Sequence, residues 1–167
     1  MIGPLRTETG SADETLALAE AVGTLLRPGD VVVLAGDLGS GKTTFAKGVG
    51  RALAVDEPVV SPTFTIVRQY DGRLPLVHVD VYRLDHLQEL HDLGLEELID
   101  DAAVTLVEWG DAVAAYLPSE RLEVRLEPGA ADDDRVVTLV SAGPSWFARG
   151  DALAAAISPT GPAAATG

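Results

Sequence analysis

The segment VVVLAGDLGSGKT, residues 31–43, carries the clearest indication of the fold class. It joins a continuous apolar run, Val31 to Ala35, to a segment, Gly36 to Thr43, that matches G-x-x-x-x-G-K-[ST] in full. An uninterrupted apolar run of this length is typical of a strand buried in a parallel sheet. Apolar side chains then recur at four-residue spacing, which predicts a helix. A strand, a glycine-rich loop and a helix in this order predict a P-loop that binds the phosphates of a nucleotide.

Each position of this motif has a physical reason. Glycines allow consecutive backbone amides to turn toward an anion, and the following helix directs the positive end of its dipole at the same point. The Lys42 ammonium is expected to bridge the β- and γ-phosphates, and the Thr43 hydroxyl is expected to bind Mg²⁺. The residues predicted to form this site are Gly36, Asp37, Leu38, Gly39, Ser40, Gly41, Lys42 and Thr43.

Two further apolar segments end in an acidic residue, Leu76 to Asp80 and Thr105 to Glu108. Ligands of open α/β sheets bind at the carboxyl ends of the strands. Asp80 and Glu108 are therefore candidates for two roles, holding Mg²⁺ and positioning or activating the attacking water. The spacing does not decide which residue has which role, and either could be an ordinary surface acid at a strand end.

Hydroxyl side chains cluster in the loop after the predicted P-loop helix. Ser61, Thr63 and Thr65 lie around a proline and are candidates for sensing the γ-phosphate. The alternative is a loop held by hydrogen bonds from Ser and Thr side chains to the backbone. Trp109 directly follows the second acidic strand end, and it is either a core aromatic residue or a cover over the site or a partner interface.

The order of strand and helix patterns predicts an α/β fold. We expect a P-loop NTPase-like three-layer fold, in which a mixed sheet has a parallel core and antiparallel edge strands. The segments Leu122–Leu126 and Val136–Val140 are predicted to form an antiparallel pair at the sheet edge. Ser11 to Glu14 matches a capping box, which predicts the start of the first helix. Residues 84–99 are predicted to form two short helices.

Composition predicts where the compact domain ends. From Gly143 onward the chain is rich in Ala, Gly, Ser and Pro. We therefore expect a P-loop ATPase domain at residues 1–142 and a C-terminal extension at residues 143–167. The extension is predicted to be partly disordered, with one short helix at Asp151–Ile157.

Charge limits the partners of this chain of 167 residues, whose formal net charge is −14. Such acidity disfavours direct binding to nucleic acid, so any action on nucleic acid is expected to pass through a partner. Residues 85–101 hold seven acids and no Lys or Arg. This segment is either a solvated helical face or a docking surface for a basic protein.

Several kinds of site and location are disfavoured. The chain has no cysteine, which excludes disulfides and zinc–thiolate sites. The three histidines lack the spacing of metal ligands and are interpreted as structural or exposed: His78, His86 and His91. No apolar run approaches the roughly 20 residues that cross a bilayer. The first residues lack the pattern of an export signal, so we expect a cytoplasmic protein with no membrane contact.

The class of nucleotide enzyme can be narrowed further. The chain contains no asparagine, so the guanine-reading motif N-K-x-D cannot be present, which favours ATP. A small-molecule kinase is one alternative, but such enzymes usually need an arginine-rich lid, and no local arginine cluster occurs. A second alternative is an ATP-gated binding module whose hydrolysis is incidental.

Five segments occur together in a recognisable order: GDLGSGKTTFAKGV, SPTFTIVRQY, HVDVYRL, ELHDLGLEEL and LVEWGD. In this order and spacing the chain resembles the TsaE (YjeE) family over residues 8–141. The resemblance implies a small P-loop ATPase that works with TsaB and TsaD in forming N6-threonylcarbamoyladenosine, in tRNAs that read codons beginning with A. Its ATP hydrolysis would reset the TsaB–TsaD complex between turnovers, and it would act on tRNA only indirectly.

The resemblance also implies roles for matched residues. Gly39 to Thr44 would hold the phosphates of ATP, and Thr43 and Glu108 would bind Mg²⁺. Asp80 would support hydrolysis together with Lys42.

Further roles concern the ends of the nucleotide and the partner. Ser61 to Thr65 would form a switch-like loop, and Trp109 matches a tryptophan tied to function in the family. Ser11, Thr15 and Arg135 would flank the adenine.

Overall fold

The computed structural model describes residues 3–37, 39–60, 67–80, 92, 99–108 and 117–158. The strands and helices with described bounds are β1 Leu5–Thr9, α1 Ala12–Gly23, β2 Val31–Ala35, α2 Lys42–Ala52, β3 Val67–Tyr70, β4 Leu76–Asp80, β5 Val104–Glu108, β6 Arg121–Pro128, β7 Arg135–Ala142, α3 Pro144–Ala148 and α4 Gly150–Ala156.

These strands form one mixed sheet in the order β1-β7-β6-β2-β5-β4-β3. The four central strands β6, β2, β5 and β4 run parallel. On one side β7 and then β1 pair antiparallel, and on the other side β3 pairs antiparallel with β4. The predicted α/β fold, with a parallel core and antiparallel edge strands, is confirmed.

One edge of the sheet differs from the sequence prediction. The antiparallel pair β6 and β7 forms as expected, but β1 pairs along β7 and is itself the edge strand. No apolar run marks β1, because its sequence LRTET has a single large apolar side chain. Its pairing partner lies more than a hundred residues later in the chain, so no local pattern predicts it.

Three of the four central strands, β2, β4 and β5, are buried along their whole length. Because alternate side chains of a strand point to opposite faces, β2 contributes to two cores. Val32 and Leu34 belong to the larger cluster, which contains the apolar side chains of α1 and α2. Val31 and Val33 belong to a second cluster with residues of β4 and β5.

Helix α1 begins with the predicted cap. The Ser11 hydroxyl accepts a hydrogen bond from the Glu14 amide at 3.1 Å. The Glu14 carboxylate accepts from the amide of Gly10, whereas a standard capping box would use the amide of Ser11. Helices α1 and α2 cross closely at Gly48, where an added Cβ would lie 2.5 Å from the Ala19 side chain. This contact packs α1 against α2, and both helices contribute to the same core cluster.

Residues after the last strand continue the fold. Helix α4 confirms the short helix predicted near Asp151–Ile157, and α3 precedes it. Trp146 and Leu153 of these helices lie in the same core cluster as α1 and α2, with exposed fractions of 1% and 0%. The division of the chain at residue 142 and the disorder predicted for the extension stay predictions, and residues 159–167 lie outside the described part.

Other predicted helices also fall outside it, since the structure describes only Asp92 and Ile99 of residues 84–99. No helix in the described ranges is long and apolar enough to cross a membrane.

Candidate functional site

The loop between β2 and α2 has the backbone of an anion-binding nest. Gly36, Gly39 and Gly41 have φ angles of 151°, 80° and 103°, a region that side-chain-bearing residues rarely adopt. Helix α2 starts directly after Gly41, which has no side chain to cap the helix amides. Backbone N–H groups of the loop and of the first helical turn are therefore placed to bind an anion.

Lys42 lies under this loop and is almost fully buried, with 5% of its surface exposed. Its Nζ donates to the carbonyl oxygens of Gly36 at 2.6 Å and Asp37 at 2.9 Å. Burial lowers the pKa of the Lys42 ammonium below its usual value, while the carboxylates of Glu108, Asp80 and Asp37 act in the opposite direction. The site thus combines a buried cation with nearby acids.

Asp80 and Glu108 end two neighbouring parallel strands and stand side by side in the register of β4 and β5. Both side chains are buried, with exposed fractions of 7% and 2%. Glu108 also pairs in register with Leu34, two residues before the glycine loop begins at Gly36. Both acids therefore lie at strand ends beside the glycine loop, as the sequence predicts.

His78 is a residue of this site whose position the sequence analysis did not predict. It is fully buried, and its Nε2 donates a hydrogen bond of 2.8 Å to Oε2 of Glu108. Its Nδ1 has no hydrogen-bond partner among the described residues. His78 lies two residues before Asp80 on the same strand, so both side chains share a face, and this spacing was the available signal.

A second group of residues meets beside the loop. A pocket is lined by Ala12 and Thr15 of α1, Gly41 and Thr44 at the start of α2, Asp133 in the turn before β7, and Arg135 at the start of β7. The structure thus brings the predicted residues Thr15, Thr44 and Arg135 together, although they are distant in sequence.

The interior of this pocket wall is held by hydroxyl contacts. The Thr15 hydroxyl lies 2.6 Å from that of Thr9 and donates to the Ser11 carbonyl at 3.2 Å. Ser11 itself caps α1 rather than lining the pocket described above.

A second pocket lies on the other side of Arg135. Its walls are the loop residues Asp37, Gly39 and Ser40 and the turn between β6 and β7, residues 128–132. Asp133, which lines the first pocket, was interpreted from the sequence only as part of a turn. The remaining predicted residues lie outside the described part of the chain: Leu38, Ser61, Thr63, Thr65 and Trp109.

Comparison with known proteins identifies relatives of this chain. The family model described as threonylcarbamoyl adenosine biosynthesis protein TsaE matches residues 9–137. Two curated relatives carry the name tRNA threonylcarbamoyladenosine biosynthesis protein TsaE. The one from Bacillus subtilis is 45% identical over 83% of this chain and 87% of its own length. The one from Treponema pallidum is 42% identical over 81% of this chain and 99% of its own length.

The fold has a solved counterpart as well. The crystal structure of Bacillus subtilis YdiB superposes with a TM-score of 0.76 at 38% sequence identity. The match covers 93% of this chain and 97% of that one. The residues matched by the family model include the glycine loop, both acidic strand ends and Arg135. This chain therefore belongs to the TsaE family of P-loop NTPase-like proteins.

Proposed function

We propose that this protein is a Mg²⁺-dependent ATPase that acts in the biosynthesis of threonylcarbamoyladenosine in tRNA. The observation that carries the proposal is the glycine loop above the buried Lys42, facing Asp80 and Glu108. This arrangement offers inward-turning amides and one cation to a polyphosphate, and two carboxylates to a metal and to a water.

The phosphate site consists of Gly36 to Thr44. In it the loop amides and the Lys42 ammonium bind the phosphate oxygens and neutralise their charge. Lys42 exchanges its two carbonyl partners for phosphate oxygens, which supply stronger, charge-assisted hydrogen bonds.

The donor set fits Mg²⁺. Among the described residues no group of three or more His, Cys, Asp or Glu forms a metal cage. Mg²⁺ in nucleotide sites usually takes one or two protein ligands together with phosphate oxygens and waters, so a cage is not required. Thr43 and Glu108 would hold the ion, which when bound neutralises charge on the β- and γ-phosphates. Asp80 would position the attacking water.

Specificity for ATP is proposed to come from the pocket beside the loop. Ser11, Thr15 and Arg135 would flank the adenine there, supported by the position of Thr15 and Arg135 in one pocket wall.

Ser61, Thr63 and Thr65 are proposed as the loop that senses the γ-phosphate, and Trp109 as part of a partner interface. The position of these residues in the sequence and the resemblance to the family support these last roles.

The cellular role is proposed from the family and its named relatives. Both the family description and the curated relatives' names support threonylcarbamoyladenosine biosynthesis. We propose that ATP turnover supports a TsaB–TsaD complex in the cytoplasm. The net charge of −14 supports this indirect role, because an acidic protein gains little from contact with tRNA phosphates.

The proposal is tested with Lys42→Ala and a matched control, Lys47→Ala. Both residues lie on α2, but Lys47 is exposed. Lys42→Ala is expected to lower Mg²⁺-dependent ATP hydrolysis by at least about 100-fold. Cells that carry it as their sole copy should lose threonylcarbamoyladenosine, measured by mass spectrometry of tRNA nucleosides, whereas Lys47→Ala should leave both quantities unchanged. Normal tRNA modification with Lys42→Ala would refute the proposal.

A second variant separates turnover from gated binding. Asp80→Ala should bind ATP, lose hydrolysis and support a single round of modification with purified TsaB and TsaD. If it supports many rounds, then ATP binding alone is sufficient and the protein is a nucleotide-gated binding module.

A further inference from the structure

Arg135 joins the phosphate-binding loop to a turn that is almost a hundred residues away. Its Nε donates to the Ser40 carbonyl at 3.0 Å, and its Nη2 donates to the Gly39 carbonyl at 3.1 Å. Its Nη1 donates to the carbonyls of Asp132 at 2.6 Å and Asp134 at 2.7 Å. Four hydrogen bonds therefore use most of the five N–H donors of the guanidinium.

The turn that precedes Arg135, residues 129–134, is itself ordered by hydrogen bonds. The amide of Gly129 donates to the Asp134 carbonyl at 2.9 Å, and the amide of Asp134 donates to the Ala131 carbonyl at 3.0 Å. The Asp134 carboxylate accepts from the Ala131 amide at 3.0 Å. The guanidinium thus connects the phosphate-binding loop to a turn that is held by its own hydrogen bonds.

The carbonyls that Arg135 holds determine where two loop amides point. In a trans peptide the C=O and the following N–H point in opposite directions. The Gly39 carbonyl is bound to Arg135, and the Ser40 amide of the same peptide donates to Asp37 at 3.0 Å, so both sides of this peptide are fixed. The Ser40 carbonyl is bound to Arg135, which directs the Gly41 amide away from the guanidinium.

The loop needs such support because glycines provide little of their own. Gly39 and Gly41 have many accessible conformations, and ordering them costs more conformational entropy than ordering other residues. Lys42 holds the first half of the loop through Gly36 and Asp37, but a bound polyphosphate competes for the same ammonium. Arg135 donates to loop carbonyls, which point away from the amides of the same peptides, so it holds the loop without using the Lys42 ammonium.

We propose that Arg135 is a positioning residue that pre-organises the phosphate-binding loop through the carbonyls of Gly39 and Ser40. This role rests on the proposed binding of ATP. For Arg135 it takes the place of the adenine contact proposed above, and it leaves Ser11 and Thr15 to flank the base. A residue that shapes the loop affects every ligand with a polyphosphate, with or without a base. A residue that touches adenine affects only ligands that carry the base.

The experiment compares Arg135→Ala and Arg135→Lys with a control, Arg125→Ala, in the full-length chain. Arg125 is a neighbouring arginine on β6, and 48% of its side chain is exposed. Binding in the presence of Mg²⁺ is measured by calorimetry for a non-hydrolysable ATP analogue and the corresponding GTP analogue. Inorganic tripolyphosphate is measured by competition against a fluorescent ATP analogue. Thermal unfolding of each variant without ligand reports whether it is folded.

Arg135→Ala is expected to weaken the ATP analogue and tripolyphosphate by the same factor, about 10-fold to 100-fold. The ratio of ATP to GTP affinity should not change. Arg135→Lys should weaken both ligands nearly as much, because one ammonium keeps the charge but cannot bridge the four carbonyls. If Arg135→Ala does not fold, the affinities of Arg135→Lys for the same ligands test the positioning role by themselves.

Three results would overturn the inference. In the first, the ATP analogue weakens while tripolyphosphate does not, or the ATP to GTP ratio changes, which indicates contact with the base. In the second, Arg135→Lys restores binding fully, which indicates simple attraction of charge. In the third, neither ligand weakens by more than it does in Arg125→Ala. A wild-type chain that fails to bind the ATP analogue would refute the proposed function itself.

Discussion

Replacement of Arg149 by methionine tests how the helices after the last strand are attached. Arg149 follows α3 and forms a bidentate ion pair with Asp30, with distances of 2.6 Å and 2.9 Å. Both side chains are buried, with exposed fractions of 4% and 9%. Arg149 also donates to the Leu25 carbonyl at 3.1 Å and lies 3.7 Å from the centroid of the Trp146 ring. A single side chain thus links the helices after the last strand to the segment between α1 and β2.

The expected loss of stability follows from the carboxylate charge of Asp30, which stays buried after the substitution. Methionine fills part of the space of Arg149, but it leaves the Asp30 carboxylate buried with one known partner, the Arg27 amide at 2.7 Å. Breaking a buried pair in this way lowers the free energy of unfolding by about 3–5 kcal/mol. For a chain of this size each kcal/mol lowers the melting temperature by about 2–4 °C. We therefore expect a decrease of about 6–20 °C.

The measurement is thermal and urea unfolding, followed by far-UV circular dichroism at neutral pH. The control is Arg125→Met, which breaks an exposed pair with Glu123 at 3.4 Å and should cost no more than about 1 kcal/mol. A double variant, Asp30→Asn with Arg149→Met, leaves neither charge of this buried pair. Its loss in free energy of unfolding should be smaller than the sum of the two single losses by about 1–3 kcal/mol. Strictly additive losses, or a loss in Arg149→Met no larger than in the control, would show this reasoning to be wrong.

Three further predictions concern the site and the domain boundary. Gly36→Ala should abolish nucleotide binding in calorimetry, because the new Cβ would lie 2.5 Å from a carbonyl of β6; ordinary affinity would contradict the loop geometry. His78→Phe keeps a ring but removes the hydrogen-bond donor that orients Glu108. We expect kcat for ATP hydrolysis to fall about 10-fold or more with the nucleotide Kd unchanged. An unchanged kcat would show that hydrolysis does not depend on this hydrogen bond. A chain of residues 1–142 lacks the buried Trp146, whose loss alone costs about 3–5 kcal/mol, so it should show no cooperative unfolding; a native-like transition would place the domain boundary at residue 142 after all.

The local parts of the fold could be predicted from the sequence because short-range physics decides them. The apolar run of β2 and the glycine pattern after it require a buried strand and a loop with positive φ angles. Ser11 caps α1 because its hydroxyl reaches the amide three residues later. The acids Asp80 and Glu108 could be expected near the loop because the carboxyl ends of parallel strands share one edge of the sheet.

Other features depend on contacts between residues far apart in sequence. Edge strand β1 has no apolar run of its own, and its place is decided by pairing with β7. The chemical surroundings of Glu108 depend on His78, which is thirty residues away and had been interpreted as structural or exposed. The helices α3 and α4 lie in the segment that composition predicted to be an extension, yet Trp146 and Leu153 pack into the main core.

The glycine loop and the buried central strands could therefore be predicted, because both depend on residues that are neighbours in the sequence. Two other pairings arise only in the folded chain: Arg135 binds the carbonyls of Gly39 and Ser40, and Arg149 pairs with Asp30. These pairs are separated by 95 to 119 residues, and an arginine in sequence has no preferred partner. The order of the sheet strands brings the partners within hydrogen-bonding distance, and that order is a property of the whole chain.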